Sequence, residues 1–116
     1  MRHLSTGRKF GRKRGQRRAF LHGLAANLIT RKRVRTTEAR AKEIRHVVER
    51  YITHGKKQNV AGLRLLMKTL PKSVAYTVYH DLAPKYKDRK GGYTKITKLG
   101  KPRQHDASRM AVIEFV

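Results

Sequence analysis

Apolar residues in this chain of 116 residues recur at helical spacing through most of its length and cluster in strand-like runs near the end. Phe20, Leu21, Leu24, Ala25 and Leu28 form one apolar stripe and predict a helix over 16–29. The next run, Arg31-Lys32-Arg33-Val34-Arg35-Thr36, alternates weakly and reads as a short strand. Ala41, Ile44, Val48, Tyr51 and Ile52 then mark a second amphipathic helix, running to about His54. Thr37 is placed to cap it, and Glu38 falls in the first turn, where the helix dipole favours an anion. Glu38 and Lys42 have the i,i+4 spacing of an ion pair, and Gly55 reads as the left-handed stop.

Asn59 is the candidate cap of a third helix, with Val60, Leu63, Leu66, Met67 and Leu70 as its inward face and Pro71 as its end. Ser73 is the candidate cap of a fourth, with Val74, Val78, Tyr79 and Leu82 inward and Pro84 beyond its end. Met67 and the tyrosines read as ordinary core. After Pro84 the pattern changes. Gly91-Gly92 marks a turn or a close backbone approach, and 93–99 and 110–116 are rich in β-branched residues. These two runs predict an antiparallel hairpin, with the segment near Val34 available as a third strand. The expectation is one small α+β domain over 16–116, about four helices packed on one face of a two- to three-stranded sheet.

Residues 1–15 do not fit that domain. Leu4 and Phe10 are the only sizeable apolar groups behind Met1, and Gly7, Gly11 and Gly15 loosen the backbone. The first eighteen residues hold eight Lys or Arg (Arg2, Arg8, Lys9, Arg12, Lys13, Arg14, Arg17, Arg18), and the first acid of the chain is Glu38. Such a segment buries too little surface to offset its ordering entropy, and its charges repel. It reads as an extended basic arm ordered by a polyanion. Its deletion is expected to weaken RNA binding and leave the melting temperature nearly unchanged. Arg17 and Arg18 open the first helix, where the dipole disfavours cations; they are either a solvated face or a contact for an external anion.

The whole chain carries 30 Lys and Arg against 7 Asp and Glu, a net charge of +23. Long-range attraction to phosphate dominates the encounters of such a protein. Arg outnumbers Lys in the first eighteen residues by six to two, which favours close, bidentate contact over loose neutralisation. Aromatic residues are scattered and Trp is absent, so shape and backbone recognition of folded RNA fits better than base stacking. Rival readings are a DNA-compacting protein, a cationic membrane-active protein and an RNA-processing enzyme. The chain has no Cys, hence no disulfide and no thiolate metal site, and no apolar run nears the ~20 residues of a membrane span. The basic N-terminus superficially matches an organelle transit peptide, but its glycines argue against the amphipathic helix of such peptides. Six histidines and seven acids show no metal-ligand spacing, and the glycines form no phosphate-cradling loop. Neither an enzyme nor a cofactor is expected.

Longer blocks carry a resemblance. Met1-Arg2-His3, Gly7-Arg8-Lys9, Thr36-Thr37 leading into Arg40-Ala41-Lys42-Glu43-Ile44-Arg45, Leu82-Ala83-Pro84-Lys85-Tyr86, Arg89-Lys90-Gly91-Gly92-Tyr93-Thr94-Lys95-Ile96 and Met110-Ala111-Val112-Ile113-Glu114-Phe115-Val116 follow one another through the chain. Together they resemble the bacterial-type large-subunit ribosomal protein seventeen family. The resemblance implies a cytoplasmic structural ribosomal protein that binds large-subunit ribosomal RNA near the outer rim of the peptide exit tunnel, beside other ribosomal proteins. It also implies a small mixed sheet beside a helical layer. The candidate RNA-binding residues are Arg2, His3, Arg8, Lys9, Arg12, Lys13, Arg14, Arg17 and Arg18 at the front, and Arg31, Lys32, Arg33, Arg35 and Lys42 next. Arg89, Lys90, Tyr93, Lys95 and Lys98 complete the set, unless that last group is only a hairpin with solvated lysines.

Overall fold

A computed structural model describes His3 and residues 7–116. Helix α1 (Arg14–Arg31) leads into strand β1 (Arg33–Thr37), which passes without a linker into helix α2 (Glu38–Lys56). Helix α3 (Val60–Thr69) follows. A continuous helical run then consists of α4 (Lys72–Thr77), a π-helical turn (Val78–Leu82) and α5 (Ala83–Lys85). Strands β2 (Thr94–Lys98) and β3 (Met110–Phe115) close the chain as the expected hairpin. The fold is α+β, four helical units against a three-stranded sheet.

The sheet has the order β1-β3-β2, and both pairings are antiparallel. The mixed sheet implied by the resemblance is therefore corrected to an antiparallel one. The physical reason is that β3 takes the central place: β1 and β2 run the same way, but neither touches the other. Alternation along the strands sends Val34, Thr36, Thr94, Ile96, Ala111 and Ile113 toward the helices. The core joins these to Ala25, Leu28 and Ile29 of α1, Ile44, Val48 and Ile52 of α2, Leu66 of α3 and Val78 of the π turn.

Local signals explain several boundaries. The Thr37 hydroxyl accepts the Arg40 N–H at 3.3 Å, and the Asn59 carboxamide accepts the Gly62 N–H at 2.7 Å, so both expected caps form. Ser73 is not a cap; Pro71 holds that place and α4 starts at Lys72. Helix α1 runs to Arg31 and is closed by Lys32 in the left-handed region at φ 69°.

Gly55 is not a stop. It lies buried inside α2, where a Cβ would stand 2.9 Å from the Ala83 Cβ and 3.3 Å from Val78 Cγ1. The left-handed residue is Gln58 at φ 50°. Pro84 likewise does not end the helical run. The Ala83 N–H reaches back to the Val78 carbonyl in π fashion, and in that pattern the Tyr79 carbonyl faces Pro84, which has no N–H. Gln58 Nε2 donates to that carbonyl at 2.8 Å and to Gly55 at 2.8 Å, so one side chain satisfies the break and fastens α2 to it. Val60 and Met67, read from the sequence as inward, are exposed, because Gly62, Leu66 and Leu70 supply the buried face of α3 instead.

Candidate nucleic-acid interface

The candidate cations fall into three parts of the surface. The first is the root of the arm. Residues 7–13 fold back as a strap, with Gly7, Phe10 and Gly11 all at positive φ. The strap sets the Phe10 ring edge-on to Phe20, centroids 5.6 Å apart, and lays the Arg12 guanidinium 4.0 Å from the Phe20 centroid. Arg12 also donates to the Phe10 carbonyl at 2.9 Å, and Arg17 donates to the Arg12 carbonyl at 3.3 Å. Arg8 bridges to Glu43 of α2 at 3.1 Å. Nothing adjacent in sequence to Glu43 or Phe10 signals these contacts. The strap supplies both contacts, over 35 residues of separation in the case of Arg8 and Glu43.

Lys9, Lys13, Arg14 and Arg18 remain exposed beside it. The first turn of α1 has no acid and no side-chain cap, so cations crowd an end already positive from the dipole. His22 lies one turn further in, beside Arg14, Arg17 and Arg18. Burial holds its pKa below the ordinary histidine value of 6.5, and Arg18 adds to the effect. His3 is exposed, whereas Arg2 lies outside the described residues, as does part of the expected arm 1–15.

The second part is the sheet face that the helices leave open. The register sets Arg33 and Lys95 on either side of Glu114, and Arg35 and Thr97 on either side of Val112. Lys95 approaches Glu114 at 3.6 Å. Arg33 and Arg35 have no ion pair among the described residues, and with exposed Arg31 and Lys32 they extend one basic strip toward the C-terminal end of α1.

The third part is the loop before β2. Lys56 Nζ donates to the Arg89 carbonyl and, at 2.9 Å, to the Tyr93 hydroxyl, which itself donates to the Arg89 carbonyl at 3.1 Å. The Tyr93 N–H is held by Glu49 Oε1 at 3.1 Å, and Arg89 Nε donates to Gly91 at 3.2 Å. Tyr93 is thus corrected from a surface contact to a buried brace: its ring packs in the core and its hydroxyl holds the loop that presents Arg89 and Lys90. Gly92 takes φ 64° in this turn.

Lys42 and Lys98 meet at Glu38, at 2.8 Å and 3.7 Å, forming the expected i,i+4 pair and one more. The Lys42 hydrogen bond leads the influences that hold the Glu38 carboxyl below its ordinary value, ahead of the nearby charges of Lys98 and Arg109. Sequence reasoning misses Arg40, Arg109 and Lys56. Arg109 precedes β3 in a polar loop and gives no local sign that its carbonyl accepts the Glu38 N–H at 2.9 Å. Among the described residues no group of three or more His, Asp or Glu could hold a metal ion, and no helix is long and apolar enough to cross a membrane.

Known proteins are similar in sequence to this chain through nearly all of its length. Residues 20–116 match the family described as Ribosomal protein L17. The large ribosomal subunit protein bL17 of Caldanaerobacter subterraneus subsp. tengcongensis is 47% identical over 110 residues, covering 94% of this chain and 97% of its own. That of Pelobacter propionicus is 42% identical over 117 residues, covering 100% and 91%, and that of Thermodesulfovibrio yellowstonii is 39% identical over 117 residues, covering 100% and 87%. With the family match spanning the sheet, most of α1 and the other three helical units, the chain belongs to the ribosomal protein L17 family.

Proposed function

We propose that this chain is a structural protein of the large ribosomal subunit, not an enzyme, and that it binds folded large-subunit RNA near the peptide exit tunnel. The observation that carries the RNA contact is the dense supply of exposed cations on the strap, the start of α1, the open sheet face and the 89–90 loop. Helices bury the other sheet face, so the open one is free to lie on phosphate backbone. Arg33 and Arg35 stand two residues apart on one strand, about 6–7 Å, a spacing suited to successive phosphates. Cations of the arm neutralise phosphates that RNA tertiary packing brings together. Placement near the tunnel and contact with neighbouring ribosomal proteins are parts of this proposal that family membership supports.

If six to ten cations meet phosphates, affinity falls by roughly 10³–10⁵ between 50 and 200 mM salt, by analogy with duplex DNA. Filter binding with a large-subunit RNA transcript measures this, with duplex DNA at matched salt as competitor. Sedimentation of lysate supplies the cellular test: the chain should travel with the large subunit. Salt-independent binding, preference for DNA, or a chain that stays in the free fraction would count against this reading.

A further inference from the structure

Between the strap and the front of α2 lies a cleft of about 400 Å³. Among the described residues its walls include Arg8 and Phe10 of the strap, Ala39, Arg40 and Lys42 of α2, and Arg109. Four cations thus face one space. Its lining carboxylate, Glu38, is shared by two lysines, Lys42 and Lys98, so positive charge stays in surplus around it.

Two of the first backbone N–H groups of α2 are also taken, by the Arg109 carbonyl and the Thr37 hydroxyl. The side chains available for recognition differ from wall to wall. Phe10 and Ala39 offer apolar surface; Arg40, Lys42 and Arg109 offer positive charge. The volume lies within the roughly 300–1,000 Å³ of pockets that enclose small organic ligands. A flat ring with an attached anion matches such a division, since a base takes the apolar wall and a phosphate takes the cations.

We propose that this cleft holds one unpaired nucleotide of the bound RNA, its base against Phe10 and its phosphate among Arg40, Lys42 and Arg109. This rests on the RNA-binding reading above and adds a single-stranded contact to a surface otherwise suited to backbone alone. The strap builds the site, because the Phe10–Phe20 and Arg8–Glu43 contacts hold one wall in position.

The test uses the full chain bound to a large-subunit RNA transcript, irradiated with ultraviolet light and mapped by mass spectrometry. A nucleotide adduct is expected on Phe10. Lys42→Gln with Arg109→Gln should abolish it and lower the slope of log affinity against log salt by about two, one for each cation withdrawn from phosphate. Arg33→Gln with Arg35→Gln should lower the slope similarly but keep the adduct. Wild-type protein that binds the transcript without an adduct on Phe10, or an adduct undiminished in the Lys42/Arg109 variant, overturns the cleft and leaves the proposed function standing. Tight binding of free uridine monophosphate by the RNA-free chain reassigns the cleft to a soluble nucleotide and also overturns it. Failure of the wild-type chain to bind the transcript removes both readings together.

Discussion

The corner built by α3, α4 and the π turn and the front built by the strap and α1 obey different rules. Residues 58–82 hold three cations, Arg64, Lys68 and Lys72, and one acid, Asp81. Residues 7–18, half as long, hold seven cations and no acid. In the corner, the α2 backbone approaches Gly62 so closely that only glycine fits there, and the Val78 and Ala83 side chains press on Gly55 of α2 in the same way. At the front, the contacts are made by side chains: an aromatic edge, a guanidinium over a ring, one ion pair, and arginines donating to strap carbonyls. The corner's sequence serves packing and the front's serves charge, so a substitution in one should leave the other's property intact.

The sharpest way to break that division is Gly62→Ala. A Cβ there would stand 2.5 Å from the His54 carbonyl oxygen, a backbone atom that cannot swing aside. Overpacking of this kind costs about 1–3 kcal/mol, and urea denaturation should show it as a lower midpoint. The salt slope of RNA binding, measured on the folded fraction, should not change. A reduced slope would mean that the corner takes part in RNA binding.

The converse substitution acts at the sheet. Arg33→Gln with Arg35→Gln removes two cations that have no ion pair among the described residues, so stability should move by no more than about 0.5 kcal/mol. The slope of log affinity against log salt should fall by about two. An unchanged slope would show that the open sheet face does not meet phosphate.

How far the sequence can be read follows the same division between local and remote causes. Thr37 and Asn59 are legible as caps because the N–H each satisfies lies three residues ahead. The hairpin is legible because its strands flank a polar loop. Gly55 misleads because its reason, the Ala83 and Val78 side chains, lies in another helical run. Pro84 misleads for a similar cause: the carbonyl it leaves free is satisfied by Gln58, remote in sequence. Tyr93 reads as a surface residue among cationic neighbours, yet Lys56 and Glu49, about forty residues earlier, draw it inside. Candidate cations are readable as a set because charge needs no partner to be visible, whereas their grouping into strap, sheet face and loop requires the fold.

Phe10 tests the front more gently. It is the one bulky residue of the strap, held at φ 55° against Phe20. An aromatic pair contributes about 0.5–1.5 kcal/mol beyond the area it buries. Phe10→Ala should therefore lower stability by about 1 kcal/mol or slightly more in RNA-free protein, and deletion of 1–15 should do at least as much. This revises the expectation that the arm leaves the melting temperature untouched, and thermal melting of both variants decides it. Equal melting of wild type and Phe10→Ala would mean that the strap adds nothing to the free domain.

The smallest effect joins charge to packing in a single residue. His22 sits beside Arg14, Arg17 and Arg18, and burial first, then the Arg18 charge, lowers its pKa from 6.5. A histidine whose folded pKa is lowered binds its proton more readily in the unfolded chain. Its contribution to stability is thus fully present above pH 6.5 and is lost as the pH falls below that value toward the folded pKa. His22→Gln should flatten that part of the stability curve, measured by urea denaturation at successive pH values. Phosphates arriving at Arg14, Arg17 and Arg18 would offset the cations that resist protonation, so the His22 titration followed by NMR should move upward when RNA binds. A titration that stays in place with RNA bound would mean that phosphate does not reach the start of α1, and would confine the interface to the sheet face and the 89–90 loop.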